Sequence, residues 1–169
     1  MKFDRLVKQK QINLGDQGLR DGDLDVLVKV LQKSKVLEQL SLYGNQITLA
    51  DGKFTNALAN NHTLRKLYLY NNKIGPEGAK KLEAVLKINK TLQVLYLSLN
   101  QIGNEGSKSI ADALMSNSSL QALDFSHNNI GDEGAESLAA SLLVNESLRR
   151  IWLEGNNISN EGAEMVLAP

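Results

Sequence analysis

Cysteine is absent from the 169 residues, and histidine is confined to His62 and His127. Without thiols there is no structural disulfide, no thiolate zinc site and no cysteine nucleophile, and two imidazoles leave little material for metal or acid–base chemistry. An excess of either charge is missing too, since 19 Lys and Arg balance 19 Asp and Glu. The basic surplus that nucleic acid or an anionic membrane surface selects is therefore not there. No apolar run approaches the roughly 18 residues of a membrane span, and the opening MKFDRLVKQKQ carries charges where a signal peptide needs an apolar core. No glycine cluster develops into G-x-G-x-x-G or is followed by a P-loop lysine. These absences point to a cytoplasmic protein with no cofactor, no metal, no nucleic acid and no membrane among its partners. The length suits one domain or a short repeat array.

What is present is a repeat. The chain reads LEQLSLYGNQI from Leu37, LRKLYLYNNKI from Leu64, LQVLYLSLNQI from Leu92, LQALDFSHNNI from Leu120 and LRRIWLEGNNI from Leu148. A degenerate copy, QKQINLGDQGL, starts at Gln9. The starts lie 28 residues apart, except for a 27-residue step between Leu37 and Leu64, where ITLADGKF is one residue short in the loop. The array is expected to fill 1–169 as a single domain, with residues 1 to 8 as a partial N-terminal cap and the sixth unit truncated.

Each unit has two periods. Alternation, as in Leu92, Leu95 and Leu97, marks a short strand with one face inward. Helical spacing follows: Leu82, Val85 and Leu86, then Ile110, Ala113 and Leu114, then Leu138, Ser141 and Leu142. A strand and a helix repeated at fixed length predict an α/β solenoid, with parallel strands lining a concave face and helices stacked behind them. The units resemble leucine-rich repeats of the ribonuclease-inhibitor-like subtype, whose pattern is LxxLxLxxN, a loop, a glycine and a convex helix. The resemblance implies a right-handed horseshoe and, from related arrays in ribonuclease inhibitor, NOD-like receptors and Ran GTPase-activating protein, binding of other proteins on the concave face.

Several residues that look chemical read better as structure. Asn45, Asn72, Asn100, Asn128 and Asn156 fall where the chain leaves the strand, so their amides are expected to satisfy turn backbone groups, with Gln17 a weaker substitute. Four sequons begin at Asn61, Asn89, Asn117 and Asn145, just past each helix, where a left-handed helix-ending conformation is expected; a fifth begins at Asn157. Gly78, Gly106, Gly134 and Gly162 are expected to allow close packing at helix starts. Asp124, Ser126 and His127 have the residue types of a hydrolytic triad, but neighbours on one strand run parallel instead of converging.

Strand parity places the third, fifth and seventh residues of each unit on the open face, with the eighth at the rim. All four tyrosines and the one tryptophan fall there: Tyr43, Tyr68, Tyr70, Tyr96 and Trp152. Tyr68 with Tyr96, and Tyr43 with Tyr70, are expected to form two neighbouring pairs. The candidate partner-binding face is completed by Lys66, Leu99, Asp124, His127, Arg150 and Glu154. The leading reading is a non-enzymatic protein-binding module. The alternatives are a regulator of a partner enzyme, of GTPase-activating or inhibitor type, or a fragment or engineered array. With no repeat following, Leu153 and Ile158 are expected to lie at an uncapped end that self-associates weakly.

Overall fold

The computed structural model describes residues 3–167, so Met1 and Lys2 of the expected cap, and Ala168 and Pro169, lie outside the described residues. Six three-residue strands form one sheet in sequence order, every neighbouring pair parallel. They are β1 (Gln11–Asn13), β2 (Gln39–Ser41), β3 (Lys66–Tyr68), β4 (Val94–Tyr96), β5 (Ala122–Asp124) and β6 (Arg150–Trp152). The pairing runs Ile12, Leu40, Leu67, Leu95, Leu123, Ile151. These are the strand centres that the repeat predicts.

Helices alternate with the strands: α1 (Phe3–Leu6), α2 (Asp25–Lys33, entered through a 3-10 turn at Asp21–Leu24), α3 (Lys53–Ala59), α4 (Gly75–Ile88), α5 (Gly103–Leu114), α6 (Asp132–Leu142) and α7 (Asn160–Leu167). The missing loop residue of the second unit coincides with the short α3, only 7 residues against 14 in α4. In the cap it is Leu6 that is buried, while Phe3 is half-buried. Strands sit about 4.8 Å apart and helices about 8–10 Å apart, so both can stay in step only if the stack bends with the sheet inside. Among the described residues no helix is long and apolar enough to cross a membrane.

The inward leucines make one continuous core. Leu92, Leu95 and Leu97 are fully buried, as are Leu64, Leu67 and Leu69 beside them. In the last unit Ile151, Leu153 and Ile158 are only half-buried, because no element packs beyond β6 among the described residues. Leu95→Ala is therefore expected to destabilise by about 2–5 kcal/mol, the penalty for a cavity walled by two neighbours, and Leu153→Ala by clearly less. Equal losses in urea denaturation would contradict an array held by nearest-neighbour packing.

Two columns of asparagine stitch the units together. Asn100 donates to the Leu69 and Leu97 carbonyls at 2.9 and 3.0 Å and accepts the Ile74 N–H at 3.2 Å. Asn45, Asn72, Asn128 and Asn156 repeat the pattern. Gln17 reaches only the Gly15 carbonyl. The second column corrects an expectation. Asn89 ends its helix in extended backbone, φ −69°, and none of Asn61, Asn89, Asn117 and Asn145 has positive φ. Asn89 instead donates to the Leu58 and Asn61 carbonyls, both at 2.9 Å, and accepts the N–H groups of Thr91 and Leu92. Burial of the amide explains why a sequon recurs without being an open acceptor. Ser34 fills the slot in the first unit, its hydroxyl donating to the Val7 carbonyl at 2.9 Å.

A third link uses carboxylates. Asp21 accepts the Thr48 hydroxyl at 2.6 Å and the N–H groups of Thr48, Leu49 and Ala50 at 2.7, 3.2 and 2.9 Å. Burial alone would raise its pKa, but these four donors together outweigh it and hold the carboxyl below its ordinary 3.8. A folded-state pKa below the unfolded one gives stability that is complete above the unfolded value and lost as pH falls through the folded value. Asp21→Asn is expected to lower stability at neutral pH and to flatten this acid limb. Denaturant midpoints from about pH 7 to about pH 2 read both effects, and an unchanged limb would remove Asp21 as their source.

At Gly106 the sign of a substitution turns on packing. In a free helix Ala beats Gly by about 1 kcal/mol, yet a Cβ here would stand 2.5 Å from the Ile102 Cγ2 one turn earlier, and 3.0 Å from the Ala79 Cβ and 3.2 Å from the Pro76 Cα, both on α4. We expect Gly106→Ala to destabilise by about 1–3 kcal/mol, since α5 must move away from α4. A gain in thermal stability would show that the two helices are not in close contact.

Candidate binding face

Outward strand residues have no core to fill, so their placement follows from parity alone. Tyr43 and Tyr70 stack with ring centres 4.8 Å apart and planes 4° from parallel, which is the strand spacing itself. Tyr68 and Tyr96 meet edge to face at 5.2 Å and 84°. Both are favoured aromatic geometries. The expected pairs are therefore present, and all four rings are half-buried. Gly15 makes the first stack possible, because a Cβ there would run into the Tyr43 ring. Between the pairs lies a shallow hollow lined by Gln39, Ser41, Tyr68, Tyr70 and Tyr96.

The row extends farther than parity suggests. Tyr96 and Trp152 meet edge to face at 5.7 Å and 76°, although β5 lies between their strands. They share a register position with Asp124, whose short side chain turns aside to accept the Ser126 N–H at 2.9 Å. Two large rings can thus touch over it. The signal was in the sequence as Tyr, Asp, Trp at the fifth position of successive units, but spacing counts neighbouring strands and not ring length.

The rim is set by backbone. The eighth residue of every unit is left-handed: Asp16, Gly44, Asn71, Leu99, His127 and Gly155, with φ between 55° and 69°. This conformation costs a side-chain-bearing residue about 1–2 kcal/mol, and it turns Leu99, 51% exposed, and His127 out to solvent. The His127 ring lies over Gly155, where a Cβ would collide with it. Lys66, Arg150 and Glu154 are exposed on the face, and Asp124 is half-buried. Small outward residues come out more covered than parity implies: Ser41, Ala122 and Ser126 are 8%, 8% and 7% exposed.

Burial in this cluster is the first cause of a raised Tyr70 pKa, with Tyr43, Asp16 and Tyr68 adding to it. The phenol stays protonated at neutral pH and keeps its O–H as a donor. The triad residue types do not assemble: the Asp124 carboxylate serves the Ser126 backbone, and Ser126 is buried. Among the described residues no three His, Asp or Glu side chains converge as a metal site would need. The face offers aromatic area, a few polar tips and exposed charges, the composition of protein interfaces in general.

A family model described as Leucine Rich repeat matches residues 60–82, 89–111, 116–139 and 144–167, more than half of the chain. Among solved structures, leiomodin-1 actin-binding site 2 superposes with a TM-score of 0.66 at 22% identity, covering 98% of this chain and 82% of that one. The tropomodulin C-terminal domain from Caenorhabditis elegans gives 0.67 at 18% identity, covering 83% and 89%. At such identities the likeness is one of fold. No curated protein sequence matches the chain.

Proposed function

The chain belongs to the leucine-rich repeat family, and we propose that it is a non-enzymatic binding module that takes a protein partner on the aromatic face of its sheet. One observation carries the reading. Every tyrosine and the tryptophan stand outside the core, and all five join in ring contacts along the open face. Strand propensity accounts for aromatics in a sheet but not for their confinement to one face. Tyr and Trp carry much of the energy in protein interfaces because they bury large area, lose few rotors and keep a polar tip. The site comprises Tyr43, Tyr68, Tyr70, Tyr96 and Trp152, bordered by Lys66, Leu99, Asp124, His127, Arg150 and Glu154. A 28-residue period with helices of 11 to 14 residues in the third to fifth units favours the ribonuclease-inhibitor-like subtype, and the reading goes with a cytoplasmic protein. Actin binding belongs to the leiomodin site and is not carried over to this chain, although that neighbour is compatible with a protein-binding role for this fold. The test is capture of a partner by the parent chain compared with the Tyr68→Ala, Tyr96→Ala double variant. Retention of the partner by that variant would overturn the reading.

A further inference from the structure

The zero net charge hides a division between the two long edges of the array. Strands all run one way and the helices return the other way, so every helix ends, and every strand starts, on the same edge. That edge comprises residues 5–10, 33–38, 60–65, 87–93, 115–121 and 143–149, and holds nine Lys and Arg against two Glu. The opposite edge, 15–25, 43–53, 70–80, 98–108, 126–136 and 154–164, holds five against thirteen Asp and Glu. Helix dipoles explain part of this, because acids favour helix N-termini and bases C-termini. They do not explain Lys10, Arg65 and Arg149 on that edge, nor Lys66 and Arg150 one residue farther in, which stand at strand starts and flank the open face. All five are exposed, and none has an ion-pair partner among the described residues. Across the face from them lie Asp16 and Glu154, both exposed. The aromatic row runs between, from β2 to β6, four strand spacings or about 19 Å, the length of about 13 helical residues.

We propose that the face takes an amphipathic helix laid across the strands, apolar side on the aromatic row, acidic flank toward the strand starts and basic flank toward the strand ends. The proposal rests on the aromatic face being the binding site, and it adds the partner's shape and charge pattern. Interfacial charges set orientation and register more than affinity, so orientation is the decisive readout. A helix turned end for end on the same apolar side exchanges its flanks. A peptide with its flanks exchanged must therefore bind in the reverse direction.

The probes are two 14-residue helical peptides of one composition, with leucines on one face and Glu and Lys on opposite flanks, the flanks being exchanged between the two. A third peptide has the same charges scattered over both flanks. Each carries a fluorescence quencher at its N-terminus, and Trp152, the only tryptophan, lies at one end of the row. Both partitioned peptides are expected to bind about fivefold or more tighter than the scattered one, and only one of the two should quench Trp152. Tyr68→Ala with Tyr96→Ala should weaken both. If all three peptides bind alike and lose affinity in the double variant, the charge pattern is wrong and the aromatic site stands. If the partitioned peptides bind but ignore the double variant, the aromatic site itself falls. If neither partitioned peptide binds, or both quench Trp152 equally, a helix of this orientation is overturned.

Discussion

Asn100→Ala is expected to cost about 3–4 kcal/mol, as much as a large core truncation, although it removes a polar side chain. Asn100 is fully buried. Its carbonyl oxygen takes the Ile74 N–H, and its amide reaches Leu69, Leu97 and Ser98. The Leu69 and Leu97 carbonyls keep a second donor, from Asn72 and Asn128, so they lose one bond of two. The Ile74 N–H loses the side-chain acceptor it has and stays buried, at about 1–3 kcal/mol. Two weakened carbonyls and the small void add the remainder. Asn156→Ala should cost less, because Asn156 is half-buried at the last described unit, and Gln17→Ala least, because Gln17 is exposed. Equal effects at the three positions in guanidinium denaturation would mean that the column does not bind one unit to the next. Asn100→Asp tests the same point differently. A carboxylate facing carbonyls has no donor to give, so it must be protonated to fit, and its pKa rises. That variant should gain stability as pH falls, opposite in sign to the Asp21 effect.

The strands and the first asparagine column were legible because both are periodic: the slots of Leu92, Leu95 and Leu97 are apolar and that of Asn100 is asparagine in every unit from Leu37 onward. The open-face pairs were legible for the same reason, since parallel strands in register place equal positions beside each other. The contacts that escaped are those that period does not encode. Asn89 sits where a helix ends, and the local rule that links asparagine to left-handed caps competes there with a cross-unit bond to Leu58. The cross-unit bond wins, because it serves buried carbonyls that water cannot reach. Trp152 meets Tyr96 only because Asp124 folds back on its own strand. The edge polarity was visible as charges in the sequence. It acquires meaning only when all helix ends are known to lie on one side.

The Tyr68→Ala, Tyr96→Ala double variant is expected to fold as the parent does and to lose about 2–4 kcal/mol of binding, roughly 30- to 1000-fold in Kd. The fold should survive because neither ring enters the core. The two share one edge-to-face contact, and Tyr96 makes another with Trp152. Those contacts are worth about 0.5–1.5 kcal/mol each, a modest loss for the array. Binding is another matter, since the pair walls the hollow beside Ser41 and sits at the middle of the row. Because the rings touch, the single variants should not add up to the double one, and the difference measures their coupling. Tyr68→Phe and Tyr96→Phe separate area from hydroxyl: loss in Ala alone indicates buried area, and loss in both indicates a bond to the phenol. Lys80→Ala and Lys108→Ala, exposed on helices behind the sheet, should leave binding unchanged. Titration of the partner by calorimetry, with urea denaturation as the control for folding, reads all of these. If the double variant binds like the parent while the helix-side variants do not, the partner sits on the back of the array and the tyrosines are a ladder that only braces the sheet.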